Sequence, residues 1–165
     1  KNAQHQISRY SLDGEKLGDI PLPDMGTVLA LNSKDEDSEA FIQFQSFLYP
    51  PTVLRYDFDS DSVQTLFTPP VNFPRDEYTT TQVWYPSKDG TQVSMFLVHR
   101  KDIALDGSNP TMLYGYGGFS ISLTPNFNPY ILTWLDMGGV YALANLRGGS
   151  ESSWRFRVRR RLARR

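Results

Sequence analysis

Apolar and polar residues alternate in short runs over the first 67 positions, with the period of strands rather than of helices. The runs at 7–12 and 16–20 flank Asp13-Gly14, a pair that tolerates positive φ and so favours a hairpin turn. Further strands are predicted at 27–31, 40–48, 53–58 and 63–67, separated by polar turns at 33–38 and 59–61. Four sequential antiparallel strands are what one propeller blade or any antiparallel sandwich would need, and the pattern alone leaves both open.

Residues 68–74 read Thr-Pro-Pro-Val-Asn-Phe-Pro, and prolines lack the donors a sheet interior requires, so this stretch is expected to be a linker between two domains. Beyond it a second hairpin is predicted from 79–85 and 91–99, around Ser87-Lys88-Asp89-Gly90, with His99 at its end in a structural role. Residues 112–115 form the next strand. A helix over 129–137 has Asn128 as N-cap, Pro129 at its first position and Gly138 at C′, with Ile131, Trp134 and Leu135 on one face. Residues 140–146 are a near-continuous apolar run, as expected of a strand buried on both sides. Strand, helix and strand in that order imply a βαβ unit.

Composition narrows the chemistry. At 165 residues and 39% hydrophobic content the chain suits one ordinary globular domain or two partial ones. It has no cysteine, so thiolate metal sites, disulfides and thiol nucleophiles are excluded, and its two histidines, His5 and His99, lie far apart. No local zinc signature and no nucleotide-binding glycine loop occur, so no cofactor and no metal are expected. Without a leader or a long apolar run, a cytoplasmic location is the expectation. The net charge of -1 conceals an asymmetry: seven of the 17 basic residues fall in 155–165, a segment without acids.

The richest stretch is Leu113-Tyr114-Gly115-Tyr116-Gly117-Gly118-Phe119, where a strand runs into a turn whose glycines let a ligand approach the backbone. A tyrosine held there can aim its hydroxyl at a developing negative charge, although packing of both aromatics is the plainer reading. The run 114–119, followed by 121–127 and by 138–151 with Ala144-Asn145-Leu146-Arg147-Gly148-Gly149, resembles the prolyl oligopeptidase family of serine peptidases. Tyr85-Pro86-Ser87-Lys88-Asp89-Gly90-Thr91 and Leu105-Asp106-Gly107-Ser108 match the same family, and the resemblance covers most of residues 5–151.

The resemblance implies a mixed β and α/β chain: the end of a β-propeller with its linker at 1–74, the start of an incomplete α/β-hydrolase domain at 75–151, and an arginine-rich tail of doubtful origin at 152–165. It implies that the Tyr116 hydroxyl is an oxyanion donor and that Phe119 belongs to the aromatic wall stacking on a substrate proline. The complete enzyme would hydrolyse short peptides after proline as a monomer, without nucleic-acid or membrane partners. The Gly-x-Ser-x-Gly elbow, aspartate and histidine of such an enzyme are missing here, and Ser120, Ser122 and Ser150 lack a positioned base. The chain alone is therefore expected to be inactive.

The tail reads either as a frame slip or as a basic arm for nucleic acid or anionic lipid. A non-catalytic β-rich binding module carrying such an arm is the alternative function. One structural expectation follows as well: the strands that should flank 140–146 would lie beyond residue 151, leaving this apolar strand as an exposed sheet edge.

Overall fold

The computed structural model describes residues 2–34 and 36–150, and the arginine-rich tail lies outside them. Two strands, β1 (Ile7–Tyr10) and β2 (Lys16–Ile20), form an antiparallel hairpin, with Gly14 at φ +87° in the turn between them. Strands β3 (Thr27–Asn32), β4 (Glu39–Gln45), β5 (Thr52–Asp57) and β6 (Ser62–Phe67) then form a separate antiparallel meander in sequence order. Alternation drives its packing. Ala40, Ile42 and Phe44 on β4 and Leu54 and Tyr56 on β5 point to one buried face, joined by Ile20 from the hairpin. Phe41, on the opposite side of β4, remains exposed, as do Leu29 and Leu31 on the edge strand β3.

After the proline-rich connector and a 3-10 turn at Arg75–Glu77, a mixed sheet is built from β7 (Tyr78–Pro86), β8 (Gln92–Arg100), β9 (Thr111–Gly115) and β10 (Val140–Ala144). Its order is β7-β8-β10-β9, antiparallel except for the parallel pair of β10 and β9. The helix α1 (Pro129–Asp136) makes the crossover between that pair. Asn128 caps it by accepting from the Tyr130 N–H at 3.0 Å, and Gly138 ends it at φ +87°. Ile131, Leu132 and Leu135 are its buried residues, while Trp134 is half-buried and donates its indole N–H to the Val140 carbonyl at 2.9 Å. A Cβ at Gly139 would lie 2.3 Å from that indole, so only glycine fits between helix and strand.

One expectation is corrected here. The apolar strand β10 is not the edge: it is hydrogen-bonded to β8 on one side and β9 on the other, and all five of its residues are buried. The edge strand on that side of the sheet is β9, whose Met112, Leu113 and Tyr114 are exposed. Chain order misled the reading because the crossover returns the later strand to the inner position.

The blade and the mixed sheet share one hydrophobic cluster. Phe47 and Leu48, in the loop between β4 and β5, insert among Tyr78, Phe96, Val98, Tyr141, Leu143 and the apolar face of α1. Phe47 is fully buried, with its ring edge-on to Phe96 and to Tyr141 at 5.7 Å centroid separation in each case. The Ser46 hydroxyl shapes this loop by accepting from the Leu48 and Tyr49 N–H groups and donating to the Asp24 carboxylate at 2.9 Å. No helix among the described residues is long and apolar enough to cross a membrane.

Candidate functional site

The parallel strands β9 and β10 end side by side, and the candidate site is made by the two loops that leave them. From β9 the chain enters 116–120, where Gly117 takes φ +66° and the non-glycines Phe119 and Ser120 take φ +51° and +55°. Left-handed backbone at adjacent non-glycine residues is strained and persists only where the surroundings hold it. The second loop supplies that hold. Leu146 lies against the turn so closely that a Cβ on Gly117 would come within 2.6 Å of its Cβ, and one on Gly115 within 3.0 Å of its Cδ1. The Ser120 N–H donates to the Gly148 carbonyl and the Ile121 N–H to the Gly118 carbonyl, both at 3.0 Å.

Further contacts fix both loops from behind. Asn145, buried at the end of β10, donates its amide to the Leu123 carbonyl and accepts from the Ser94 hydroxyl of β8, each at 3.0 Å. Arg147 reaches the turn of the β7–β8 hairpin and binds Asp89 at 2.6 Å. The Arg147 guanidinium, with donors from Thr91, holds the Asp89 carboxyl down to about 2. Asn145 and Arg147 were visible in the sequence only as parts of a motif. Their signal was a polar pair closing an apolar run, which does not by itself say what either contacts.

Tyr116 is 46% exposed and its ring lies against Gly118, where a Cβ would sit 3.8 Å from the phenolic oxygen. The hydroxyl has no hydrogen-bond partner among the described residues, so it is available to donate outward. Phe119 stands almost wholly in solvent at 91% exposure, presenting a ring face on the same turn. The turn thus offers a donor and an apolar surface within four residues.

The other sequence candidates lie apart or are engaged. The Ser122 and Ser150 hydroxyls meet each other at 3.1 Å. His99 is buried, and its Nδ1–H donates to the Arg100 carbonyl at 2.7 Å, which occupies the ring nitrogen structurally. Among the described residues no group of three or more histidine, aspartate or glutamate side chains is placed to hold a metal ion. No Gly-x-Ser-x-Gly occurs anywhere in the sequence.

A propeller-type blade packed against a sheet that turns parallel at its far edge, with a glycine-rich turn at the carboxyl ends of the parallel pair, defines a two-part, β-rich architecture. A family model described as "Prolyl oligopeptidase, N-terminal beta-propeller domain" matches residues 1–68. The prolyl endopeptidase of Elizabethkingia miricola is 38% identical over 151 residues, which is 92% of this chain and 21% of that protein. Among solved structures, a prolyl endopeptidase is 44% identical with a TM-score of 0.79, covering 92% of this chain and 22% of that one. Prolyl oligopeptidase B from Galerina marginata superposes with a TM-score of 0.81 at 35% identity over the same shares. That protein has also been solved bound to a 35mer hydrolysis and macrocyclization substrate. The chain belongs to the prolyl oligopeptidase family and spans about a fifth of the length of these relatives.

Proposed function

We propose that the protein carrying this chain is a serine endopeptidase that hydrolyses short peptides on the carboxyl side of proline. In this reading 1–74 close a propeller, 75–151 open an α/β-hydrolase domain, and the nucleophile, aspartate and histidine lie outside this sequence. Tyr116 donates its hydroxyl to the oxyanion of the tetrahedral intermediate, and Phe119 is one wall of the pocket for the substrate proline ring.

The observation that carries the reading is the unpartnered Tyr116 hydroxyl on a strained turn beside the carboxyl end of a parallel strand pair. Ligands of open α/β sheets bind at such carboxyl ends, and the hydrolase oxyanion hole takes one donor from an early strand-to-helix loop. A donor aimed there contributes only as charge develops on the substrate oxygen, so its effect belongs to kcat rather than KM. The exposed Phe119 ring supplies stacking area at little entropic cost, since an aromatic side chain has only two rotatable angles.

The binding-module alternative is not favoured, because the relatives that match 92% of this chain are prolyl endopeptidases. The test is kinetic. The chain by itself should release no product from a chromogenic proline peptide. In the enzyme completed by the remaining family sequence, Tyr116→Phe should lower kcat by about 10² to 10³ at nearly constant KM. Turnover by the isolated chain that resists a serine-reactive inhibitor control, or an unchanged kcat in the variant when chemistry limits the rate, would overturn the reading.

A further inference from the structure

The loop between the glycine-rich turn and α1 is held by both halves of the molecule. Its Leu123 carbonyl is bound by Asn145 of the mixed sheet at 3.0 Å, as described above. Two residues on, the fully buried Pro125 offers its carbonyl to the hydroxyl of Thr27, the first residue of the blade, 98 positions away in sequence, at 2.7 Å. Thr27 is itself buried, so no water replaces this donor without rearrangement. A second and longer contact follows, from the Phe127 N–H to the Gln45 side-chain oxygen at 3.5 Å, again on the blade.

We propose that Thr27 is a positioning residue for the turn bearing Tyr116 and Phe119, so that the propeller blade sets the geometry of the oxyanion donor through the Pro125 carbonyl. The inference rests on the reading of Tyr116 given above for its catalytic meaning, but its mechanical part stands on the contacts alone. Phe119 and Ser120 occupy left-handed backbone that neighbours must enforce. On the sheet side the enforcing contacts are Leu146, Gly148 and Asn145. On the far side the next fixed point along the loop is the one given by the blade. Releasing that point lets 120–127 relax, and the turn relaxes with it. A displacement of the blade against the sheet is then felt at Tyr116 through the loop.

Amide hydrogen exchange on this chain tests the mechanical part. Thr27→Val keeps the branched shape and removes the donor, and Thr27→Ser restores the donor without the methyl. Exchange at Ser120, Ile121 and Phe127 should accelerate about tenfold or more in the valine variant and return towards the parent rate in the serine variant. The blade amides of Ile42 and Leu54 should keep their rates in both. Unchanged protection at Ser120 and Ile121 in Thr27→Val would overturn the proposal, and so would acceleration spread evenly over the chain, which marks a purely structural threonine. In the completed enzyme Thr27→Val should lower kcat about tenfold with KM within about twofold, and Thr27→Ser should recover it. If Tyr116→Phe proves silent while the exchange result holds, the coupling stands and the oxyanion reading falls. If Tyr116→Phe is crippling and Thr27→Val leaves both exchange and kcat alone, the reverse is true.

Discussion

The two faces of the mixed sheet are made from the same strands and have opposite fates. On one face Phe96, Val98, Tyr141 and Leu143 lie under α1 and the inserted Phe47, sealed by edge-on aromatic contacts. On the other, Met95, Leu97, Leu113 and Ala142 line an open apolar groove of about 320 Å³ together with Leu105 and Val140. Both faces are apolar, because strands with helices on either side carry no polar alternation to mark one side as outward. What separates them is what the chain delivers. Residues 2–150 bring a helix and a propeller loop to the first face and only the loop bearing Leu105 to the second. Apolar pattern therefore reports where a surface is meant to be covered, and only topology reports whether it is.

The largest effect should come from opening the sealed face. Phe47→Ala removes a fully buried ring shared by blade and sheet, and should cost about 3 to 5 kcal/mol by the usual scale for core phenylalanines. Since whole domains are stable by roughly 5 to 15 kcal/mol, denaturant titration should show the cooperative transition lost or shifted far downward. A loss below about 1 kcal/mol would mean that the two parts are stabilised separately and that the shared cluster is incidental.

On the open face and its edge the expectation reverses. Leu113 is 68% exposed on β9, a strand whose five residues carry neither charge nor proline to discourage edge pairing. Leu113→Lys should leave the unfolding free energy within about 0.5 kcal/mol of the parent and should suppress concentration-dependent association measured by light scattering. Association that persists unaltered in the variant would acquit the β9 edge.

The smallest effect concerns the ion pair behind the site. The folded Asp89 carboxyl, held at about 2 by Arg147, titrates below its ordinary 3.8, so the pair contributes stability above about pH 4 and loses it as pH falls towards 2. Thermal melts of Asp89→Asn and parent should differ by a small constant amount above pH 5 and converge near pH 2. A gap that stays constant down to pH 2 would show that the aspartate acts through its turn contacts rather than through its charge.

Much of the architecture was legible from residues alone. The six blade and hairpin strands, the proline connector, the Asn128 cap and the Gly138 stop all follow from local rules: alternation, missing donors, and a side chain able to accept from an early helical N–H. The glycine-rich turn was legible as a turn, because three glycines in four positions rarely mean anything else. Sheet order was not. Nothing in Val140–Ala144 states that it lies inside β9, since a crossover sets position and leaves no mark on the strand itself. Nor was the seam legible. Phe47 sits in a loop of a β-rich segment, and Thr27 begins a strand with nothing unusual about it, yet each meets residues far along the chain. Such contacts depend on how two sheets are juxtaposed, which no local periodicity encodes.

The central claim is that the strained turn after β9 holds its tyrosine where a substrate oxyanion forms. The most direct measurement is a crystal structure of the completed enzyme with a proline aldehyde, whose adduct with the serine nucleophile places an oxyanion-like oxygen in the site. The Tyr116 hydroxyl should lie about 2.7 to 3.1 Å from that oxygen, the range expected of a working oxyanion donor. A hydroxyl found more than about 4 Å away, or turned to another partner, would contradict the account.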